Sequence, residues 1–165
     1  DLVGREINNL DRATFKNGYA VAKFINFKTD GSSGHDATFM DADFFLFRAA
    51  EAYLTYAEAQ ARMNGGATNA EGANAINALR TRAHASTKAN YSLDEILDEW
   101  AREFYFEGRR RVDLIRFGKF GGNTDYIWQW KGGTYNGRNF DAYKNIYAIP
   151  ASQLSTYGNE QNPGY

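Results

Sequence analysis

Glu99, Glu103 and Glu107 recur at four-residue spacing, which places them on one face of a helix. Carboxylates gathered in this way can ligate a metal ion or work as acid and base. A di-iron bundle would add a Glu-x-x-His pair, and neither His35 nor His84 supplies one. A glycosidase sets two carboxyl groups on opposite sides of a cleft, about 5 to 9 Å apart, which a single helix face does not make by itself. The surrounding run, Trp100 to Gly118, interleaves Glu103, Glu107, Arg109, Arg110, Arg111, Asp113 and Arg116 with aromatic and aliphatic residues. Unpaired buried ions are costly, so the favoured reading is an internally paired network. In it, Glu103 and Glu107 meet Arg102, Arg110 and Arg116, and Asp113 holds a neighbouring arginine through a bidentate bond. Gly108 is the bend that turns Arg109 or Arg110 back toward Glu103.

A different chemistry is offered by Tyr126-Ile127-Trp128-Gln129-Trp130-Lys131. Flat Tyr and Trp faces stack on sugar rings while Gln and Lys fix hydroxyls; the same residues also serve to pack a loop onto helices. In an extended run, Trp128 and Trp130 would share a face. Asp41 and Asp43 form a D-x-D pair, either hard oxygen ligands for calcium or caps for a helix beginning at Phe44. There is no phosphate-binding glycine loop, nucleophile elbow or His-bearing triad.

These residues must be positioned by a chain of 165 residues, enough for a single core without disulfide or metal staples. Aromatic residues make up 16% of it, a surplus that can go to core, interface or sugar platform. Its net charge of -1 and lack of a one-sided basic stripe argue against nucleic acid as a partner. With no cysteine, disulfides, thiolate metal sites and a Cys nucleophile are excluded. No apolar run approaches the roughly 18 residues of a membrane span. The first residues, DLVGREINNL, carry neither Met nor a targeting segment, as expected of a piece of something longer.

The expected elements are mainly helical. Residues 1–41 read as an irregular, extended lead-in, with Tyr19 to Lys28 a short strand or extended piece before the Gly/Ser loop at Asp30 to Gly34. Residues 42–118 read as the helical core. Within it, Phe44 to Met63 is apolar over most of a helix circumference and is stopped by Asn64-Gly65-Gly66. Thr68 or Asn69 opens a second helix with a stripe of Ala73, Ile76, Leu79 and Ala83. The short connection makes the two an antiparallel, tetratricopeptide-like hairpin whose alanines permit close approach. Ser92-Leu93-Asp94-Glu95 has capping-box spacing and opens a third helix along Ile96, Leu97, Trp100 and Phe104. Arg109 to Phe117 reads as a short fourth, with Val112, Leu114 and Ile115 facing inward and Gly118 closing it. Residues 119–165 read as a long, loop-rich aromatic tail, with Ile146 to Pro150 extended and Ala151 to Leu154 a helical turn.

Taken in order, Asp41-Ala-Asp-Phe-Phe-Leu-Phe-Arg-Ala-Ala-Glu51, Tyr56-Ala-Glu-Ala59, Ala78-Leu-Arg-Thr-Arg-Ala83, Glu99 to Arg116, Ile149-Pro150 and Gln161-Asn-Pro-Gly-Tyr165 resemble the carboxy-terminal part of the SusD/RagB family. Trp100 follows Glu99 where the family often carries Arg. The resemblance implies a SusD-like, mainly α fold, of which this chain is a part. It also implies a non-enzymatic role: capture of oligosaccharides or polysaccharides at the surface of an outer membrane, in a lipid-anchored protein that covers a TonB-dependent, SusC-like transporter. The amino-terminal remainder of the same protein is then a further partner. On this view Tyr126, Trp128 and Trp130 flank the sugar site, and Asp41 and Asp43 lie where a family member binds calcium, the one cofactor implied. The charged run becomes scaffold. The alternatives are a helical protein-interaction module without glycan contact and, behind it, a glycoside hydrolase.

Overall fold

Alanine is the strongest helix former, and the computed structural model turns the alanine-rich stretch into helix α1, Ala49–Met63. The structure describes Val21 and residues 23–165. They fall into two compact units, one of Ala22–Asp113 and one that includes Leu114–Tyr165. Besides α1, the elements are α2 (Ala70–Arg82), α3 (Leu93–Glu103), α4 (Arg110–Arg116) and α5 (Ala151–Tyr157). The architecture is thus mainly α, as read from the sequence. None of the described helices is long and apolar enough to cross a membrane.

In the first unit α1 packs against both α2 and α3. Leu54, Ala57 and Ala61 from α1, Ala73, Ile76 and Leu79 from α2, and Ile96, Leu97 and Trp100 from α3 are all buried. Burial of each large aliphatic side chain stabilises the unit by about 1.5 to 3 kcal/mol relative to its exposure. Small residues bring the hairpin close: a Cβ on Gly72 would sit 3.1 Å from both Gln60 and Thr68. The hairpin ends as its glycines require. Gly65 and Gly66 have φ of 73 and 111°, and the Gly66 amide donates to Ala61 O at 2.8 Å, which uses a carbonyl the helix leaves open.

Both expected starts are present. Asn69 accepts from the Gly72 amide at the head of α2, and Ser92 and Glu95 close a reciprocal capping box on α3. The loop between α1 and α2 is tied to the head of α3. Thr68 N donates to Tyr91 O at 2.9 Å, Tyr91 N to Thr68 Oγ1 at 3.0 Å, and Leu93 N to Gly66 O at 3.0 Å. Buried Tyr91 also donates its hydroxyl to Asn77 Oδ1 at 2.6 Å.

Three readings are corrected. α1 begins at Ala49 and not at Phe44, and Asp41 and Asp43 do not cap it: its N-cap is Arg48, in extended conformation without a side-chain cap. Phe44, Phe45, Leu46 and Phe47 lie outside the helix and are exposed. The physical reason is Arg48, whose extended backbone lets its side chain reach the carboxylates described below; tertiary pairing overrides helical periodicity. In α4, Leu114 is buried as expected while Val112 is 53% exposed. Of the segment Tyr19 to Lys28, Tyr19, Ala20 and Ala22 lie outside the described residues, and the remainder forms an isolated bridge, Phe27 with Ser33, and no strand.

The second unit is held by side chains that hydrogen-bond to backbone. Gln161 makes a two-way pair with Ile149, Nε2 donating to Ile149 O at 2.9 Å and Oε1 accepting from Ile149 N at 2.8 Å. Asn162 Nδ2 donates to Tyr147 O at 2.8 Å and Tyr165 OH to Ile146 O at 2.6 Å. The closing Gln-Asn-Pro-Gly-Tyr therefore staples residues 146–149 as an extended strap. Gly164 has φ of 97°, and a Cβ there would lie 2.6 Å from the Tyr143 ring, which stacks edge-on with Tyr165. Gly164→Ala should open this staple at a local cost of about 1 to 3 kcal/mol. Amide exchange at Ile149 would report it as a rise of roughly tenfold or more; unchanged protection would show that the strap holds without the staple.

Candidate functional site

Arg48 supplies what helical spacing alone does not show. From the residue before α1, its guanidinium reaches the end of α3 and the turn beyond it, where Glu107 lies outside the helix and not on one helix face with Glu99 and Glu103 as the spacing suggested. Nη1 pairs with Glu103, Nε donates to Glu107 Oε2 at 2.9 Å and Nη2 to Glu107 Oε1 at 2.9 Å. The same planar group lies 4.0 Å from the centroid of Phe104. Arg82 donates to Glu103 at 2.7 Å and Lys23 pairs with Glu107. Glu99 is held by Arg80 at 2.7 Å and by Arg102 at 2.7 Å. Each of the evenly spaced carboxylates is therefore buried and clamped, chiefly by cations from outside α3. Glu103 and Glu107 are paired with Arg48, Arg82 and Lys23, and not with the Arg102, Arg110 and Arg116 of the spacing argument.

Electrostatics agree with pairing. At Glu103 burial pushes the carboxyl pKa up, and hydrogen bonds from Arg82 and Arg48 more than offset it, leaving the group below its ordinary value. Glu107 behaves likewise, with burial outweighed by Arg48 and Lys23. A general acid at neutral pH would need the opposite shift. The arrangement is built to keep carboxylates ionised and immobile.

Beyond Gly108, whose φ is 75°, the chain turns back, but to different partners from those expected. Arg109 Nη1 donates to Glu51 of α1 at 2.5 Å, with its guanidinium 4.3 Å from the Trp100 ring. Its buried Nε has Asp113 Oδ2 at 3.5 Å, an ion-pair contact and not a hydrogen bond. Arg110 Nη1 donates to Leu97 O at 2.8 Å, closing a carbonyl at the end of α3. Asp113 is buried, while Arg116 lies 5.4 Å from the ring of Phe117. Trp100 itself donates its indole N–H to buried Glu58 at 2.9 Å, and Arg62 holds the other oxygen at 2.9 Å. Sequence reading missed Arg48, Glu51, Glu58, Arg80 and Arg82, whose partners lie far away in the chain.

The aromatic loop lies in the second unit. Its backbone turns at Gln129 and Trp130, the latter with φ of 67°, so Trp128 and Trp130 do not share the face that an extended run would give them. Trp128 meets Tyr126 at 6.0 Å and Phe140 at 6.1 Å, edge to face, whereas Trp130 meets Tyr135 at 5.6 Å. Trp128 remains 37% exposed. Gly137 makes the fold of this loop possible: φ is 76°, and a Cβ would come within 2.3 Å of Trp128 O. Beneath the rings Lys131 is buried, with Nζ donating to Tyr126 O at 2.7 Å.

Asp41 accepts from the His35 backbone N–H at 2.8 Å and pairs with the His35 ring. Asp43 is exposed. Two carboxylates fall short of the roughly six to eight oxygens that calcium takes. Among the described residues no group of three or more His, Cys, Asp or Glu is placed to hold a metal ion, so the pair does not by itself fit calcium. The first unit also carries two open clefts. One, of about 700 Å³, is lined by Trp100, Phe104, Phe106 and Arg109 among others; the second, of about 650 Å³, by Phe47, Ala52, Tyr56 and Ala59 among others.

Comparison with known proteins adds to this geometry. The model of the SusD family matches residues 6–165. Starch-binding protein SusD of Bacteroides thetaiotaomicron is 48% identical over 153 residues, which make up 92% of this chain and 27% of that protein. A SusD-like protein of Bacteroides ovatus is 32% identical over 76 residues, 46% of this chain and 14% of the relative. Among solved structures, a SusD superfamily protein from Parabacteroides distasonis superposes with a TM-score of 0.57 at 26% identity, covering 74% of this chain and 27% of the other. One from Bacteroides vulgatus gives 0.52 at 27% identity, covering 80% and 30%. The chain spans no more than 27% of the length of these curated relatives.

Proposed function

We propose, because the chain belongs to the SusD family, that it forms part of a non-enzymatic protein capturing oligosaccharides at the bacterial cell surface. The observation that carries this reading is the 48% identity, over 92% of the chain, to a protein named for binding starch. In this reading the protein is held at the outer membrane by a lipid anchor and passes its glycan to a SusC-like, TonB-dependent transporter. The clamped state of Glu99, Glu103 and Glu107 supports a role in scaffold and not in hydrolysis, since no free carboxyl remains among them to serve as acid or nucleophile.

Recognition would use aromatic stacking and hydroxyl hydrogen bonds. Within this chain the support lies in Trp128, flanked by Tyr126, with Trp130 on the neighbouring cluster. Calorimetry of the whole protein with maltooligosaccharides tests it. Binding is expected in the parent, weakened in Trp128→Ala by roughly three- to tenfold, as befits one aromatic contact at the flank of a larger site. Absence of binding to any glycan across an array would sink the proposal. A second reading, a docking surface for a protein partner, is favoured by one observation, the exposed run Phe44, Phe45, Leu46 and Phe47. Co-purification separates the two: a transporter complex that survives Trp128→Ala while glycan affinity falls assigns Trp128 to sugar.

A further inference from the structure

The buried ammonium of Lys131 is used neither by the core nor by the sugar reading. Only 1% of the residue is exposed. Its Nζ donates to Tyr126 O at 2.7 Å and has Lys119 O and Asn139 Oδ1 at 3.5 Å, with no carboxylate among the described residues in its shell. Carbonyls and rings replace the usual counter-ion: Nζ lies 4.7 Å from the centroid of Trp128 and 5.5 Å from that of Phe140. An ammonium removed from water without an anion is a cost to folding, and burial accordingly draws the Lys131 pKa down. Methionine has nearly the same length and no charge, so packing alone does not call for lysine here. What lysine adds is a hydrogen bond to Tyr126 O and a cation directed at an aromatic face.

We propose that Lys131 is a positioning residue for Trp128, its ammonium fixing one face of the indole from beneath so that the opposite face is the one offered to a sugar. The surrounding backbone is built for this placement. Trp130 and Gly132, on either side of Lys131, both have φ of 67°. The loop closes behind the ring through Lys131 N to Trp128 O at 3.0 Å and Arg138 N to Lys131 O at 2.9 Å. Thr124 and Asn139 brace the far side, Asn139 Nδ2 donating to Thr124 O at 2.9 Å. A cation–π contact has a direction, and with the edge contacts of Tyr126 and Phe140 it restrains the tilt of the indole in a way a flexible thioether does not. Its functional arm rests on the reading of Trp128 as a sugar contact; the positioning itself does not.

The test uses the whole protein with Lys131→Met. Emission of Trp128, isolated as the difference between each protein and its Trp128→Phe counterpart, should shift its maximum and change its quenching by acrylamide. The melting temperature should stay close to that of the parent, since removal of a buried charge without a counter-ion offsets the lost hydrogen bond to Tyr126 O. Maltooligosaccharide affinity should fall by roughly three- to tenfold, and Lys131→Met with Trp128→Ala should bind no more weakly than Trp128→Ala alone. Unchanged Trp128 emission overturns the proposal. So does a Lys131→Met protein that melts well below the parent or fails to fold, since that assigns the lysine to structure. A shifted emission with affinity unaltered in both Lys131→Met and Trp128→Ala upholds the positioning and removes Trp128 from the sugar site.

Discussion

Arg48→Met should lower the stability of the protein by about 3 to 5 kcal/mol, because it leaves buried carboxylates short of a partner. The side chains of Glu103 and Glu107 are 8% and 4% exposed, and Arg48 itself only 20%. Arg82 and Lys23 remain, but Arg82 is 59% exposed and Lys23 approaches Glu107 alone. The loss therefore exceeds that of a surface pair, which is worth about 0 to 1 kcal/mol. Arg48→Lys should recover little: one ammonium cannot bridge two carboxylates in a fixed fork while lying flat on Phe104.

The pH dependence follows from the direction of the shifts. Glu103 and Glu107 both titrate below 4.5 when folded, so the unfolded chain binds more protons in that range. Their contribution is fully present above about pH 4.5 and is lost as pH falls through the folded values. Burial opposes the charge on Arg48, and hydrogen bonds to Glu107 and Glu103 outweigh it, keeping the guanidinium protonated throughout. The gap between wild type and Arg48→Met should hence be widest near neutrality and narrow in acid. Urea unfolding at neutral and acid pH would measure it; a small gap at both would show that Arg82 and Lys23 suffice.

What was legible in the sequence divides along a physical line. Features set by near neighbours could be read directly. The Ser92/Glu95 box, the Asn69 cap, the glycine stop after α1 and the closing of α4 by Gly118 each depend on bonds within a turn or two. The helical core was legible for the same reason, since period and alanine content act locally. Family resemblance added the long-range frame that local rules lack. Ion-pair partners were not legible. Arg48 and Glu107 are 59 positions apart, Arg109 and Glu51 58, and nothing in local spacing distinguishes these from the nearer arginines of α3 and α4.

The start of α1 failed for a related reason. Phe44 to Phe47 carry the right apolar period, yet continuing the helix back through Arg48 would forfeit its bonds to Glu103 and Glu107, worth more than a further turn of modest helix formers. The aromatic loop failed differently. An extended reading of Tyr126 to Lys131 could not foresee a left-handed Trp130, a conformation ordinarily left to glycine and here stabilised by Trp130 N to Tyr135 O at 3.1 Å. That turn is also what carries Lys131 under the rings.

Trp100→Ala should cost about 3 to 5 kcal/mol, through a large cavity and a broken polar contact together. The indole is 1% exposed, packs on Phe104 at 5.2 Å and carries the Arg109 guanidinium on its face. Its N–H meets Glu58, itself buried within α1. Trp100→Phe separates the two parts: it keeps most of the volume and removes the donor, at a cost of about 1 to 3 kcal/mol for the lost hydrogen bond to a buried carboxylate. If the hydrogen bond is what matters, Glu58→Gln with Trp100→Phe should be less destabilising than the sum of the single changes. Strict additivity would instead assign the effect to ring packing. An arginine in place of Trp100 offers Glu58 a charge but no flat face for Arg109. Trp100→Arg should accordingly lose the stack, leave like charges facing each other at Arg109, and destabilise more than Trp100→Phe, a ranking that urea unfolding of the variants would decide.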